Sequence, residues 1–408
     1  MFARTPATLA LVLAMACVVP PGSDGGVDSE SPGTEGDEAP GDDDDDATPT
    51  GDEGSDGDSD GPDGTADDDD DDDDTQQEEA NCGDMADNDG DGDIDCADAD
   101  CEEHEACGDT VFRIATWNLL GAGVQGSPSW EAARSIIARI DADVLCMQEI
   151  VEGEEAALQA LAQSEGYVYG LLTPASGPPG AGIANACMSR LPTANENYLW
   201  SDWISPDPDA RDMTRPFVRL RLYHPGSGRY VSILSGHLKA GTDEVDRFRR
   251  MIDHIRMAMA AEDERQQFPD NAVIALGDFN ETPNPDAESF SSLPAGLPEF
   301  YSLGSDIDLP IVYDPAQPLI DAGLSRVEAR WEDSTEDDTF IPFPRRLDYV
   351  WTTDEEIIAA EVYEACQDDG IDDAPQGDVL VKSGEPLSCG TSEVASDHRP
   401  VVVELRLR

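Results

Sequence analysis

Four short polar segments in the last three-quarters or so of the chain carry side chains that could act together in catalysis. Each lies at the end of an apolar, strand-like run, which is where α/β proteins collect their functional groups. Carboxylate, amide and imidazole groups in such places suit the binding of a divalent metal ion and the cleavage of a phosphoester. The segments are Thr116-Trp117-Asn118, Gln148-Glu149, Gly277-Asp278-Phe279-Asn280 and Ser396-Asp397-His398.

Two of these residues are candidate metal ligands. Glu149 directly follows the apolar run Val144-Leu145-Cys146-Met147, so its carboxylate must face a cleft and a partner. An oxygen-ligated divalent ion is a natural partner. Asn118 offers a neutral oxygen to a metal or a phosphate, although taken alone it is more simply a turn residue.

Asp278 and the Asp397-His398 pair are suited to acid–base work. Asp278 and Asn280 follow an apolar run through Gly277, which puts both side chains at the carboxyl end of a predicted strand. A histidine beside a carboxylate, as in Asp397-His398, can be an oriented general acid or base. The alternative for that pair is a structural ion pair.

The elements that position these groups alternate between strand-like and helical patterns, which predicts a single α/β domain over residues 109–408. The clearest helix is predicted at Glu244–Glu262, with Val245, Phe248, Ile252, Ile255 and Met259 on one face; another is predicted at Trp130–Ile140. The predicted strands are Val111–Trp117, Val144–Gln148, Ala184–Ser189, Val218–Tyr223, Tyr230–Ser235, Val273–Leu276, Leu347–Thr352 and Pro400–Leu405.

In chain order, the polar segments resemble the motifs of the endonuclease/exonuclease/phosphatase (deoxyribonuclease-I-like) superfamily. Three further segments complete the resemblance, which spans nearly all of residues 111–405. It implies an α/β fold in the form of a four-layer α/β/β/α sandwich, with two packed mixed β-sheets flanked by helices. The further segments are Ser235-Gly236-His237-Leu238, Arg346-Leu347-Asp348-Tyr349-Val350 and Arg399-Pro400-Val401.

The resemblance also implies a metal site. Glu149 would hold Mg²⁺ or Mn²⁺, with Asn118 and Asp397 close to the ion. The ion would serve as Lewis acid and as template, while the protein contributes mainly positioning.

The same resemblance implies the catalytic roles. His398, oriented by Asp348, would bind the scissile phosphate or draw a proton from the attacking water. Asp278 would be the second acid–base group, and Asn280 and His237 would donate to the non-bridging oxygens. The sequence leaves open which of Asp278 and His398 activates water.

The substrate class is less defined, because members of the superfamily include nucleases, inositol-phosphate phosphatases and sphingomyelinases. Arg346-Leu347-Asp348-Tyr349 resembles the nuclease and general phosphodiesterase form of its motif. Arg190 and Lys239 could bind substrate at a positive rim, and so could Arg345, unless each pairs with a nearby acid. An exported nuclease or phosphodiesterase is the leading hypothesis, and we expect a monomer.

Two alternatives remain open. The first is a phosphatase or sphingomyelinase-like lipid phosphodiesterase, for which Trp200–Ile204 is the candidate apolar loop; the other interpretation of that segment is an edge strand. The second is a non-catalytic surface-binding protein, which the intact acid–base set disfavours.

Residues 1–108 hold 38 of the 90 acidic residues and one of the 24 basic ones, so the net charge of residues 109–408 is near −29. That charge repels polyanions and weakens the nucleic-acid hypothesis.

The front of the chain indicates export. Residues 1–17 have Arg4, an apolar run and small residues before Cys17, which predicts a signal peptide. Cys17 could be the lipid-modified cysteine of a bacterial lipoprotein; the alternative is ordinary cleavage after an alanine and secretion. Any membrane contact would come only through that anchor. Residues 18–80 are rich in Asp, Gly, Glu, Ser and Pro, which predicts a disordered acidic tether.

A small cysteine- and aspartate-rich module is predicted at residues 81–108. Its carboxylates recur at the spacing of a calcium loop, and the segment resembles the calcium repeats of exported bacterial proteins. The alternative is a disulfide-stapled acidic knot that binds no ion tightly. The candidate Ca²⁺ ligands are Asp87, Asp89, Asp91, Asp93 and Asp98.

Nine cysteines fit an exported protein. The four in the 81–108 module can form two disulfides, and Cys366 and Cys389 could staple a surface loop. Cys146 and Cys187 lie in apolar strand-like runs, so we expect them to be buried thiols rather than nucleophiles.

Overall fold

A computed structural model describes most of residues 109–408 and a few residues before them. The described residues lie within a compact unit that begins at Asp73. They are 82, 89, 90, 96, 99–101, 110–121, 123–177, 182–282, 288–332, 334–370 and 380–407.

Fourteen strands and six α-helices are found in the described residues. The strands are β1 (Val111–Asn118), β2 (Val144–Val151), β3 (Tyr169–Leu172), β4 (Ile183–Ser189), β5 (Thr193–Leu199), β6 (Phe217–His224), β7 (Arg229–His237), β8 (Ala272–Asp278), β9 (Glu288–Phe290), β10 (Ile311–Tyr313), β11 (Ser325–Arg326), β12 (Asp348–Thr352), β13 (Glu356–Val362) and β14 (Val401–Arg406). The helices are α1 (Pro128–Ile140), α2 (Glu155–Ser164), α3 (Ser201–Ile204), α4 (Glu244–Gln267), α5 (Ala316–Asp321) and α6 (Thr391–Ala395).

Two six-stranded mixed sheets form the centre of the fold. The first has the order β13-β14-β1-β2-β4-β3, and the second has the order β11-β12-β8-β7-β6-β5. β1 and β2 run parallel, as do β7 and β8, whereas their other neighbours in the sheets are antiparallel. The carboxyl ends of β1 and β2 therefore lie at the same edge of the first sheet, and those of β7 and β8 lie at the same edge of the second.

The apolar residues form separate layers, as the predicted four-layer α/β/β/α sandwich requires. Residues of both sheets, such as Ile114, Ile233 and Ile274, are buried together between the sheets. The outer face of the first sheet packs against α1 and α2, and the outer face of the second packs against α4 and α5. The predicted fold is confirmed.

Helix α4 begins where it was predicted and continues five residues beyond the predicted end. The buried surface of α4 is wider than the single apolar face that was predicted, because the helix packs on the second sheet and also on residues around β9 and β10. Phe248 and Ile252 pack with residues of β9 and β10, while Met257 and Ala261 pack on the sheet.

Two local expectations were wrong. Trp200–Ile204 is not an edge strand, because Ser201–Ile204 forms a single helical turn, with Trp203 exposed and stacked on Tyr198. Cys146 and Cys187 are not free thiols but form a disulfide, because the β2–β4 pairing places them directly opposite each other.

The other cysteines in the described residues are also paired. Cys366 and Cys389 form the predicted loop disulfide. Cys82 bonds to Cys101, and Cys96 is disulfide-bonded.

Most N-terminal predictions fall outside the described residues. These are the signal peptide, Cys17, the 18–80 tether and four of the calcium candidates (Asp87, Asp91, Asp93 and Asp98); Asp89 is described, but it does not test the calcium hypothesis. The domain boundaries also stay predictions. None of the helices in the described ranges combines the length and the apolar character needed to cross a bilayer.

Candidate active site

Side chains alternate between the two faces of each strand. This alternation builds the apolar core between the sheets, and it also places polar side chains at one edge of that core. Successive residues of a strand point to opposite faces, so positions four apart share a face. Ile114, Ile233 and Ile274 are buried between the sheets, and the residues four positions later are Asn118, His237 and Asp278. All three are buried at the carboxyl ends of β1, β7 and β8.

A layer of polar groups lies beneath these three residues. The Gln148 amide donates to the hydroxyls of Thr116 and Ser235, at 3.1 and 3.3 Å. These bonds join β1 and β2 of the first sheet to β7 of the second. The two sheets are therefore held in register just below the site.

Glu149 reaches the cluster because its strand is irregular. Regular alternation would point it away from Gln148 and toward the outer helices, but the β2–β4 pairing has a bulge between Met147 and Ile150. Glu149 has φ +62° within it, a conformation that costs a non-glycine residue on the order of 1–2 kcal/mol. Its Oε1 lies 3.7 Å from His237 Nε2. At 26% exposure its side chain is the most open of the central groups.

Close contact between β7 and β8 sets His237 against Asp278. Gly277 has φ +142°, and a Cβ there would lie 1.9 Å from the Gly236 carbonyl oxygen, so only glycine fits. His237 Nε2 lies 3.6 Å from Asp278 Oδ2. The same oxygen accepts a 2.9 Å hydrogen bond from the Asn118 amide, which links the two sheets directly.

The second half of the site is the predicted Asp348–His398 pair. His398 Nδ1 lies 2.8 Å from Asp348 Oδ2, which leaves Nε2 as the ring nitrogen available to a substrate. The His398 carbonyl accepts a hydrogen bond from the Trp117 indole, and its backbone N–H donates to Ser396. Asp348 pairs with Asp278 across β12 and β8, so both halves meet.

Asn280 turns back over Asp278. It has φ +52°, which asparagine tolerates better than most residues. Its backbone N–H donates to Asp278 Oδ1 at 2.8 Å, and its amide donates to the Leu238 carbonyl at 3.2 Å. Both Asp278 oxygens therefore accept a hydrogen bond.

Burial and neighbouring charges shift the pKa values in the cluster. Burial raises the pKa of Asp278 to about 7, and the Asp348 charge adds to the rise. Burial opposes a charged His398, but the Asp348 charge and hydrogen bond outweigh it and raise the pKa of His398 to about 10. Burial, with the charges of Arg215 and His398, lowers the pKa of His237 well below its usual value.

The cluster fits a hard divalent cation. Glu149, His237 and Asp278 each offer a ligand atom, all within 4.8 Å of one another. Asp397 Oδ1 is buried and accepts no hydrogen bond from any described residue, so it has a free ligand position. Concentrated carboxylates with an orphaned oxygen are the donor set that a divalent ion satisfies.

The two predicted substrate-binding residues lie in different places. Lys239 is near the site, two residues after His237, but its ammonium pairs with Asp246 at 2.8 Å. Arg190 follows the end of β4 that pairs with the start of β2, at the opposite end of that strand from Glu149. There it pairs with Asp141, so the structure does not bring it to the cluster.

Sequence reasoning missed Arg215. Its guanidinium donates to the carbonyls of His237 and Leu238, at 3.0 and 3.2 Å, and it interacts electrostatically with Glu149 and Asp278. It forms no ion pair within the described ranges. Arg215 lies in an arginine-rich stretch outside the quoted motifs, so the sequence carried no specific signal for it.

The chain resembles known proteins in sequence and in structure. The sequence model described as the endonuclease/exonuclease/phosphatase family matches residues 115–398. An endonuclease/exonuclease/phosphatase from Beutenbergia cavernae is 18% identical, with 73% of this chain and 72% of that chain covered and a TM-score of 0.48. One from Bacteroides vulgatus is 15% identical, with 74% and 100% covered and a TM-score of 0.47. The human Nocturnin catalytic domain is 16% identical, with 73% and 95% covered and a TM-score of 0.45. No curated protein matches the sequence.

Proposed function

The chain belongs to the endonuclease/exonuclease/phosphatase family, and from that premise we propose that it is an exported nuclease or phosphodiesterase dependent on Mg²⁺ or Mn²⁺. One observation carries the proposal. Glu149, His237 and Asp278 meet the Asp348–His398 pair at one edge of the sandwich. A purely structural ion-pair network would not need five such groups around one point, two of them in or beside strained backbone.

The proposed metal ligands are Glu149 and the groups nearest to it. Glu149 would hold the ion, with Asn118 and Asp397 beside it. When bound, the ion polarises a phosphoryl oxygen and orients the phosphate for attack. Glu149 suits this role because it is the most solvent-accessible of the cluster.

The proton transfers fall to Asp278 and His398. Asp348 keeps His398 charged, so its imidazolium donates from Nε2 to a non-bridging phosphate oxygen and then protonates the leaving oxygen. Asp278 is held by Asn118 and Asn280 and accepts the proton of the attacking water. The geometry supports this assignment, because among the histidines that the structure describes His398 has a carboxylate oxygen 2.8 Å from its ring.

Three further groups stabilise charge on the phosphate. The neutral His237 and the Asn280 amide each have an N–H to donate as negative charge develops on the non-bridging oxygens. Arg215 adds a fixed positive charge that no described carboxylate pairs. That local positive charge favours the approach of a phosphate to the site, although the rest of the domain is acidic.

Export is supported by the disulfides. The Cys146–Cys187 and Cys366–Cys389 bonds lie in the catalytic region, and Cys82–Cys101 precedes it. Disulfides in this number persist in oxidising compartments and are rare in the cytosol. They agree with the signal peptide predicted from residues 1–17 and with a cell-envelope or secreted protein.

The test is hydrolysis by the full mature chain, produced with its disulfides. Substrates are plasmid DNA, single-stranded RNA, bis-p-nitrophenyl phosphate, sphingomyelin and inositol phosphates, each with Mg²⁺, Mn²⁺, Ca²⁺ or EDTA. We expect metal-dependent cleavage of the diesters and its loss in Glu149→Gln. Cleavage that persists in EDTA would refute the metal dependence. Turnover confined to sphingomyelin or to phosphomonoesters would replace the nuclease with one of the alternatives.

A further inference from the structure

The bulge in β2 leaves one residue of β4 opposite two residues of β2. In this ladder the β4 residue between Ala184 and Ala186 is Asn185, and it faces both Gln148 and Glu149. Asn185 is therefore the strand neighbour of the carboxylate proposed to hold the metal ion.

The Asn185 side chain lies between the two sheets, where an amide needs hydrogen-bond partners. Cys187, two residues later on the same face of β4, is buried in the inter-sheet core. Asn185 is itself fully buried. Burial of an amide is unfavourable unless its polar atoms are bonded, so the contacts of this side chain show what it does.

The backbone of Asn185 is satisfied without its side chain. Its N–H donates to the Thr173 hydroxyl at 3.0 Å, and its carbonyl accepts from the Thr173 N–H at 2.9 Å. The side-chain amide reaches the other sheet instead, where it donates to the Pro216 carbonyl at 2.9 Å. Pro216 directly follows Arg215. This bond therefore ties the bulge of β2 and β4 to the segment that carries Arg215.

The oxygen of the same amide has no such partner. Asn185 Oδ1 is buried and accepts no hydrogen bond from any residue in the described ranges. Rotation of the amide by 180° would set Oδ1 against the Pro216 carbonyl, and two acceptors repel each other. Buried acceptors are nearly always bonded, which favours a donor that is not part of the protein.

The waters of a metal ion are donors that suit this place. A Mg²⁺ ion held by one or two carboxylates keeps several of its waters, and a water can bridge an ion to a polar group of the protein. Asn185 is the strand neighbour of Glu149, so an ion held there would bring such waters to the same end of β4. A neutral amide can accept from them without adding to the negative charge of Glu149 and Asp278.

We propose that Asn185 is a positioning residue of the metal site. Its Oδ1 accepts a hydrogen bond from a water on the ion held by Glu149, while its amide N–H holds the Arg215-Pro216 segment beside β4. The inference rests on the proposed function and adds to it a residue outside the polar segments. One amide thereby links the binding of the ion to the placement of the Arg215 guanidinium.

Two variants separate the two halves of the amide. Asn185→Leu removes both the oxygen and the N–H, and it should lower the Mn²⁺ affinity in calorimetric titration by about 10- to 100-fold, the usual effect of losing an outer-shell partner. Asn185→Asp keeps an oxygen and removes the N–H. It should restore most of the Mn²⁺ affinity but raise KM for bis-p-nitrophenyl phosphate by about 2- to 10-fold, the value of one hydrogen bond.

Thr173→Val is the matched control, because it removes a hydrogen bond to the backbone of the same residue and leaves the amide in place. It should lower the urea midpoint of unfolding without changing the Mn²⁺ affinity. Urea unfolding of every variant identifies any that has lost its fold. If Asn185→Leu does not fold, Asn185→Asp decides, since a large loss of Mn²⁺ affinity in that variant would contradict the water contact.

Two results would overturn the inference. One is wild-type Mn²⁺ affinity in a folded Asn185→Leu, which would make the amide a purely structural tie. The other is an equal loss of affinity in Asn185→Leu and Asn185→Asp, which would show that the oxygen contributes nothing. Failure of the proposed function gives a different pattern. If Mn²⁺ binding depends on Asn185 but the wild-type protein hydrolyses no phosphoester, the proposed function fails and this inference stands.

Discussion

The Asp348–His398 pair allows the sharpest test of the proton-transfer assignment. Asp348→Asn keeps the size of a fully buried side chain and removes its charge 2.8 Å from the imidazole. In the folded protein the pKa of His398 is about 10, against 6.5 ordinarily. That difference corresponds to about 5 kcal/mol in favour of the charged ring, at about 1.4 kcal/mol per pH unit.

The sign of the effect follows from that rise. Because the folded-state pKa is above the ordinary one, the favourable energy is fully present below pH 6.5 and is lost as the pH rises through 10. Without the Asp348 charge and hydrogen bond, the burial of His398 remains, so its pKa should fall from about 10 toward the ordinary 6.5, although the charges of Asp278 and Asp397 still raise it. If the pKa reached 6.5, only about 3% of the imidazole would be charged at pH 8, so kcat/KM should fall by up to about 30-fold.

The assay is the pH dependence of kcat/KM for bis-p-nitrophenyl phosphate with saturating Mg²⁺. The wild-type protein should stay active until its alkaline limb near pH 10, and Asp348→Asn should lose activity near pH 6.5. Asp337→Asn is the matched control, because it removes the same charge from a half-exposed side chain. An alkaline limb that does not move in Asp348→Asn would refute the role given to charged His398.

The remaining predictions concern other groups. Glu149→Gln should lower metal-dependent turnover by more than about 100-fold, because even outer-shell partners of a metal contribute 10–100-fold; calorimetric titration with Mn²⁺ should show the lost affinity. Arg215→Gln should lower kcat/KM by about 10- to 100-fold, the value of a charged hydrogen bond to phosphate, and equal rates would exclude that contact. Removal of residues 1–108 should leave kcat/KM unchanged, because every group of the cluster lies after them. His254 is buried, its ring nitrogens have no described partner, and burial lowers its pKa to about 3; acidification from pH 7 to 5 should therefore cost about 2 kcal/mol more stability in wild type than in His254→Leu, measured by urea unfolding.

Much of the fold was predictable because its strands end at the polar segments. β1, β7 and β8 were predicted to within about two residues, since apolar alternation and a following polar group mark both the strand and its end. The Cys146–Cys187 disulfide was not predictable in the same way. Its formation depends on which strand lies next to β2 and in which register, and neither is encoded near the cysteines.

The basic residues show the same limit of prediction from sequence, because the sequence did not indicate which of them lie at the site. Proximity to a motif was the only available guide, and it favoured Arg190 over Arg215. β4 runs antiparallel to β2, so Arg190, which follows β4, lies at the opposite end of the first sheet from Glu149. Arg215 precedes β6, and the start of β6 lies beside the end of β7. Strand direction decided both outcomes, and strand direction is a property of the whole topology.

Glu149 shows why the remaining error falls at the site itself. The sequence predicts that β2 ends at Gln148, because a glutamate after an apolar run breaks the pattern. The strand in fact continues to Val151, and a bulge absorbs the glutamate and turns it toward His237. The local pattern placed this carboxylate at the site, but it favoured a regular strand or its end and gave no sign of the bulge that turns the side chain toward His237. The strained φ of Glu149, at on the order of 1–2 kcal/mol, is retained where the surrounding β-sheet pairing over-determines it, as expected when function rather than stability selects the conformation.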